Sequence, residues 1–179
     1  MSDPQEDHLL SFSDDQYQFL GEEFFLWLWH WSDENGRLFQ VSDGTIELEI
    51  NNLIELAAEL STAEQSRLKG GSPAYSGEAM KALSNGKHVV KARFVLKRDE
   101  RAWTFMASSK DLTVSAIKIP SVINKDEELA FEERMYLIEE LDDLWLQLYR
   151  SFLIERVGTV WARKETELRD WILEGAKKN

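Results

Sequence analysis

Hydrophobic and polar positions alternate with two different periods along this chain, and the change of period marks out its elements. From about Asp14 the apolar residues Leu20, Phe24, Trp27, Leu28 and Trp31 recur at helical spacing, with Asp14 or Asp15 as cap and Ser32-Asp33-Glu34-Asn35-Gly36 as stop. Phe19, Phe25 and Trp29 lie off that face, which predicts a helix covered on more than one side. Arg37–Val41 and Thr45–Ile50 alternate with period two around Ser42-Asp43-Gly44, a hairpin in which Ile46, Leu48 and Ile50 point inward and Glu47 and Glu49 outward. Asn51–Leu60 fits either a further strand or a helix, Gly70-Gly71-Ser72-Pro73 reads as a loop, and Ser76–Asn85 as a short helix ended by Gly86.

The most regular strand pattern is KHVVKARFVLKR. Val90, Ala92, Phe94 and Leu96 share one face, while Lys87, Lys91, Arg93 and Lys97 share the other with Val89 and Val95. Arg101–Ala107 and Leu112–Ile119 complete a three-stranded meander, greasy on one side and basic on the other. From about Lys125 the period returns to helical: Met135, Ile138, Leu141, Leu144, Trp145, Leu148 and Phe152 lie over a face rich in Glu and Asp. Val157-Gly158 breaks this helix, and a last one covers about Thr159–Leu173. These elements predict an α+β fold: a mostly antiparallel sheet of five or six strands, packed by an N-terminal aromatic helix and two C-terminal helices. Residues 1–13 read as a flexible acidic tail, and 14–179 as a single domain. Within that domain, 14–124 form a helix plus the sheet and 125–179 the C-terminal helices.

Charge sharpens the picture. The chain of 179 residues carries a net charge of −12, distributed as −13 over Met1–Glu59, +6 over Leu60–Lys118 and −5 over Ile119–Asn179. A basic segment inside an acidic protein attracts anions, a phosphate backbone above all. On charge alone the plainer reading is a solvated sheet face whose cations pair with neighbouring carboxylates. There is no cysteine, which excludes disulfides, thiolate metal sites and cysteine nucleophiles. The polar, acidic N-terminus is unlike a signal peptide, and the apolar stretch Phe24–Trp31 is too short to span a bilayer, so the expectation is a soluble, cytoplasmic protein.

Catalytic patterns are weak. His8, His30 and His88 have no metal-ligand spacing, and pairs such as Glu22-Glu23, Glu139-Glu140 and Asp142-Asp143 diverge by about 100° on a helix. No enzyme, metal or cofactor is expected. Lys87, Lys91, Arg93 and Lys97 follow a phosphate backbone without reading bases, which predicts sequence-independent, salt-sensitive binding of double-stranded DNA. The alternative is a protein-interaction module using the acidic and aromatic helices, with Trp27, Trp29 and Trp31 as partner contacts and an acidic surface that imitates DNA. Self-association is expected through either Phe19–Trp31 or Leu129–Phe152.

The strings LGEEFFLWLWHWSDENGRLF, SGEAMKALSNGKHVVKARFVLKRDERAWTFMASSKDLTVSAIKIP and ERMYLIEELDDLWLQLYRSFL together resemble the C-terminal half of the recombination-associated protein RdgC family, over roughly Tyr17 to Phe152. The resemblance implies a non-enzymatic, nucleoid-associated, sequence-independent duplex-DNA binder involved in control of recombination or replication. Family members form ring-shaped dimers with a basic interior. The family's Gly-Lys turn, with its DNA-contacting lysine and following polar residue, corresponds here to Lys87 and His88 after Gly86.

Overall fold

The structure, a computed structural model, describes residues 14–58, 61–69 and 77–178. The expected tail and the Gly70–Pro73 loop lie outside these residues. Among the described residues the elements follow in the order α1 (Asp14–Glu34), β1 (Leu38–Val41), β2 (Gly44–Ala58), β3 (Ser61–Lys69), α2 (Gly77–Ser84), β4 (Lys87–Arg98), β5 (Arg101–Ser108), β6 (Val114–Lys118), α3 (Glu127–Val157) and α4 (Trp161–Lys177). The six strands make one antiparallel sheet in the order β1-β2-β4-β5-β6. The long strand β2 pairs with β4 along one edge, and with β1 and then β3 along the other. The predicted α+β architecture is therefore present, and Asn51–Ala58 resolves as strand. β3 is an addition that the sequence pattern did not show.

α1 is the hub of the core, because each of its faces meets a different element. Gly21 lies against the Ser109 carbonyl beyond β5, and a β-carbon there would stand 2.7 Å from that carbonyl's carbon. Phe25 packs edge-on against Phe94 of β4 with centroids 5.4 Å apart, and the Ser32 hydroxyl donates to Leu48 O at 2.9 Å. These residues seat the helix on the sheet. Phe24 and Trp27 face α3, where they meet Trp145 and Phe152, and the Trp27 indole N–H donates to Glu155 at 2.9 Å. Trp29 and His30 meet Trp171 of α4, whose indole N–H donates to Asp33 at 2.8 Å.

This corrects the expectation that Trp27, Trp29 and Trp31 contact a partner. Trp27 and Trp29 are buried, and Trp31 stacks on Phe39 while donating to Leu38 O. The aromatic surplus is used inside the chain, because α4 folds back over the face of α1 that the sheet leaves open. Among the described residues, the interior also holds Phe94, Phe105 and Trp103, fully buried in the sheet, with Leu141, Leu144, Leu148 and Phe152 from α3.

α3 begins at an N-cap, Asp126, whose carboxylate accepts from the backbone N–H groups of Glu128 and Leu129. Two turns later the Glu133 carboxylate accepts from Ile123 N, Asn124 N and the Asn124 amide, tying the incoming loop to the helix. These donors favour the ionised form and hold Glu133 below the ordinary glutamate range.

Candidate functional site

The predicted DNA contacts on β4 divide into three environments. Lys97 sits directly opposite Glu47 on β2, and its ammonium lies 3.2 Å from that carboxylate. Arg37 reaches the same Glu47 at 3.9 Å and also bonds Glu49. Lys91 is paired in register with Glu55. The basic row of β4 thus runs beside an acidic row on β2, one strand spacing away. Arg93 lies opposite Met106 of β5.

Lys87 belongs to a different phase of the strand. Glu55 pairs with Lys91, but the next residue, Leu56, pairs with Val89, so Val90 is an extra residue in β4. The Val90 carbonyl is capped from β5's end by the Ser109 N–H at 3.0 Å and the Ser109 hydroxyl at 3.3 Å. Val89, rather than Val90, is buried with the core. A β-bulge of this kind reverses the alternation of faces. The four cations therefore do not form the single row that strict alternation predicts. Gly86 does adopt the left-handed turn expected before Lys87, with φ +84°.

His88 leaves the row altogether. Its Nδ1 is 3.3 Å from the buried carboxylate of Glu22 on α1. Both residues line a cleft of about 290 Å³ between α1 and α4, walled by Leu26, Trp161, Leu168 and Ile172. Nearby, Glu23 bonds Arg156 of α3, yet desolvation outweighs that contact and raises its carboxyl above the usual range.

A second polar cleft, about 270 Å³, opens between the β1–β2 turn and α3. Its centre is the buried Glu140, which accepts from Arg98 at 3.3 Å and from Arg101 at 2.5 Å. Arg98 also bonds Asp43, which lowers that carboxyl below the ordinary aspartate value. Two more cations of the basic segment are thereby consumed in joining the β4–β5 turn to α3.

The outer side of α3 is the surface that the sequence pattern left unresolved. Its buried face consists of Ala130, Leu137, Leu141, Leu144, Trp145, Leu148 and Phe152. A second apolar series, Phe131, Met135, Ile138 and Leu146, steps along the helix beside it at three- and four-residue spacings with Asp142 filling one step, while Tyr149 and Leu153 beyond it pack against the core. Phe131, Met135 and Leu146 are 60%, 42% and 43% exposed. Glu128, Glu132, Glu139, Asp142 and Asp143 flank this series and form no ion pair with another described residue. These five are exposed to solvent, whereas Glu133, Glu140 and Glu155 are engaged within the fold.

Among the described residues no cluster of three or more His, Asp or Glu side chains is arranged to hold a metal ion, and no helix is long and apolar enough to cross a membrane. No family model matches the chain, and no curated protein matches it.

Proposed function

We propose that this protein is a non-enzymatic protein-interaction module whose docking surface is the outer face of α3. One observation carries the reading: a single helix presents exposed Phe131, Met135 and Leu146 between carboxylates that nothing else in the described fold engages. Scattered surface apolar residues are ordinary, but a periodic series along four turns of a helix is the usual form of a helix-docking face.

Placing a photo-crosslinking phenylalanine analogue at position 131 or 146 in living cells tests this. The expected result is a covalent protein adduct at both positions and none at exposed control positions 45 and 177. Adducts at the controls alone, or at no position, would refute it.

Duplex-DNA binding is the second reading, and the observation favouring it is that Lys91, Arg93 and Lys97 share one partly exposed face of β4. It predicts saturable binding at low salt, with the slope of log affinity against log salt lowered by about two when Lys87 and Arg93 are both changed to Ala. The interaction reading predicts no saturable DNA binding at moderate salt. A titration of labelled duplex at two salt concentrations separates them.

A further inference from the structure

We infer that the occupant of the α3 face is a basic amphipathic helix of another protein, an inference that rests on the interaction reading above. The apolar series from Phe131 to Leu146 spans about 22 Å at the helical rise, enough for four turns of a partner helix. Asp142 interrupts the series where an apolar residue is due, in line with Ile138 and Leu146. Glu128 and Glu132 on one stretch, with Glu139 and Asp143 on the next, border the apolar residues. A bound helix with an apolar stripe and lysines or arginines at its margins would pair each of these carboxylates, one of them with Asp142 at the centre.

Charge also selects against the two occupants nearest to hand. A second copy would set α3 against itself, and α3 has nine acidic residues against three arginines. The chain's own first thirteen residues contain Asp3, Glu6 and Asp7 and no lysine or arginine. Like charges brought together on a partly desolvated helix face cost affinity, so both are disfavoured relative to a cationic partner. A DNA-binding protein deceived by a DNA-like surface is a poorer fit, because a phosphate mimic needs rows of carboxylates without aromatic and aliphatic side chains between them.

The probe is a fluorescent synthetic helix of about 18 residues, built of leucine and lysine with the leucines at heptad a and d positions. Its control is a scrambled peptide of the same composition, with no apolar stripe. Titrated into the full chain and followed by anisotropy, the amphipathic peptide is expected to bind one-to-one and at least about tenfold more tightly than the scrambled one. Asp142→Lys and Phe131→Ser should each weaken it by about tenfold, and added salt should weaken it further. Leu146→Ser serves as a third variant should either of these fail to fold by circular dichroism.

Equal binding of the two peptides, or parental binding by all folded variants, overturns the inference. So does light scattering that shows a dimer dissociated by Phe131→Ser, which would make a second copy the occupant. Failure of the peptide with crosslinking retained at position 131 removes only the basic-helix assignment. Loss of crosslinking removes the docking surface itself.

Discussion

Replacing Gly21 with alanine should destabilise this protein, although the same exchange in most helices stabilises. Alanine is favoured over glycine in a helix interior by about 1 kcal/mol. At Gly21 the added carbon would stand 2.7 Å from the Ser109 carbonyl carbon and closer still to its oxygen. Neither side can yield cheaply. The Ser109 N–H and hydroxyl are bonded to the bulged Val90, and Ser109 is itself buried. Relief therefore requires α1 to lift from the sheet by roughly 1 Å, a gap that forfeits a substantial share of each dispersion contact beneath it. The contacts at risk include Phe25 on Phe94 and the buried Leu28. A strain of about 3–5 kcal/mol, less the propensity gain, leaves a net loss of about 2–4 kcal/mol. Urea denaturation of Gly21→Ala at neutral pH should show a lower midpoint with an unchanged slope. A variant as stable as the parent, or more stable, would mean that α1 does not seat against the turn after β5.

Two other perturbations probe the polar interior. Glu140→Gln leaves Arg98 and Arg101 without their shared carboxylate, and since both arginines retain some solvent access the loss should be about 2 kcal/mol in a urea titration. His30 is buried against Trp171, and burial together with nearby Lys164 lowers its pKa, while Glu34, Asp33 and Glu167 partly oppose this. As pH falls below about 6.5 the unfolded chain takes up the imidazole proton before the folded one does, so stability should decline on acidification by at most about 1.4 kcal/mol per pH unit. His30→Phe should flatten the difference in urea midpoint between pH 7.5 and pH 5.5, and an unchanged pH dependence would show that His30 is not its source.

What the sequence made legible follows from local periodicity. The α1 and α3 helices, the β1–β2 hairpin and the β4–β6 meander each repeat a pattern over several residues, and each is present. β3 escaped because STAEQSRLK has no alternation of its own, and pairing with the edge of β2 makes it a strand. The bulge at Val90 was equally invisible, because an extra residue in one strand is defined only by the register of its neighbour. That single residue is what separates Lys87 from Lys91 in the candidate site. On α3, periodicity identified apolar positions but merged two series into one. Met135 and Ile138 were grouped with Leu141 and Leu148, although Met135 is exposed and the other two are buried. Which series faces inward depends on where α1 and the sheet lie, and no local pattern encodes that.

The reversal of charge along the chain acquires a structural meaning once the pairs are traced. Lys97 meets Glu47, His88 meets Glu22, and Arg98 meets Asp43, each joining the basic middle third to the acidic first third. Arg98 and Arg101 meet Glu140, joining the middle third to α3, and Arg156 of α3 returns to Glu23 of α1. Complementary segments distant in sequence are thereby set beside one another, most consequentially where the carboxylate is buried, as at Glu22 and Glu140, and modestly at the more exposed pairs, which still disfavour other registers. Much of the basicity that suggested a phosphate ligand is neutralised internally by this arrangement. Five carboxylates without an ion pair among the described residues, Glu128, Glu132, Glu139, Asp142 and Asp143, lie on the outer side of α3 near its exposed apolar side chains. A surface of that composition is poorly satisfied by water alone on its apolar part, and its carboxylates repel another acidic surface. A cationic, amphipathic surface satisfies both components at once.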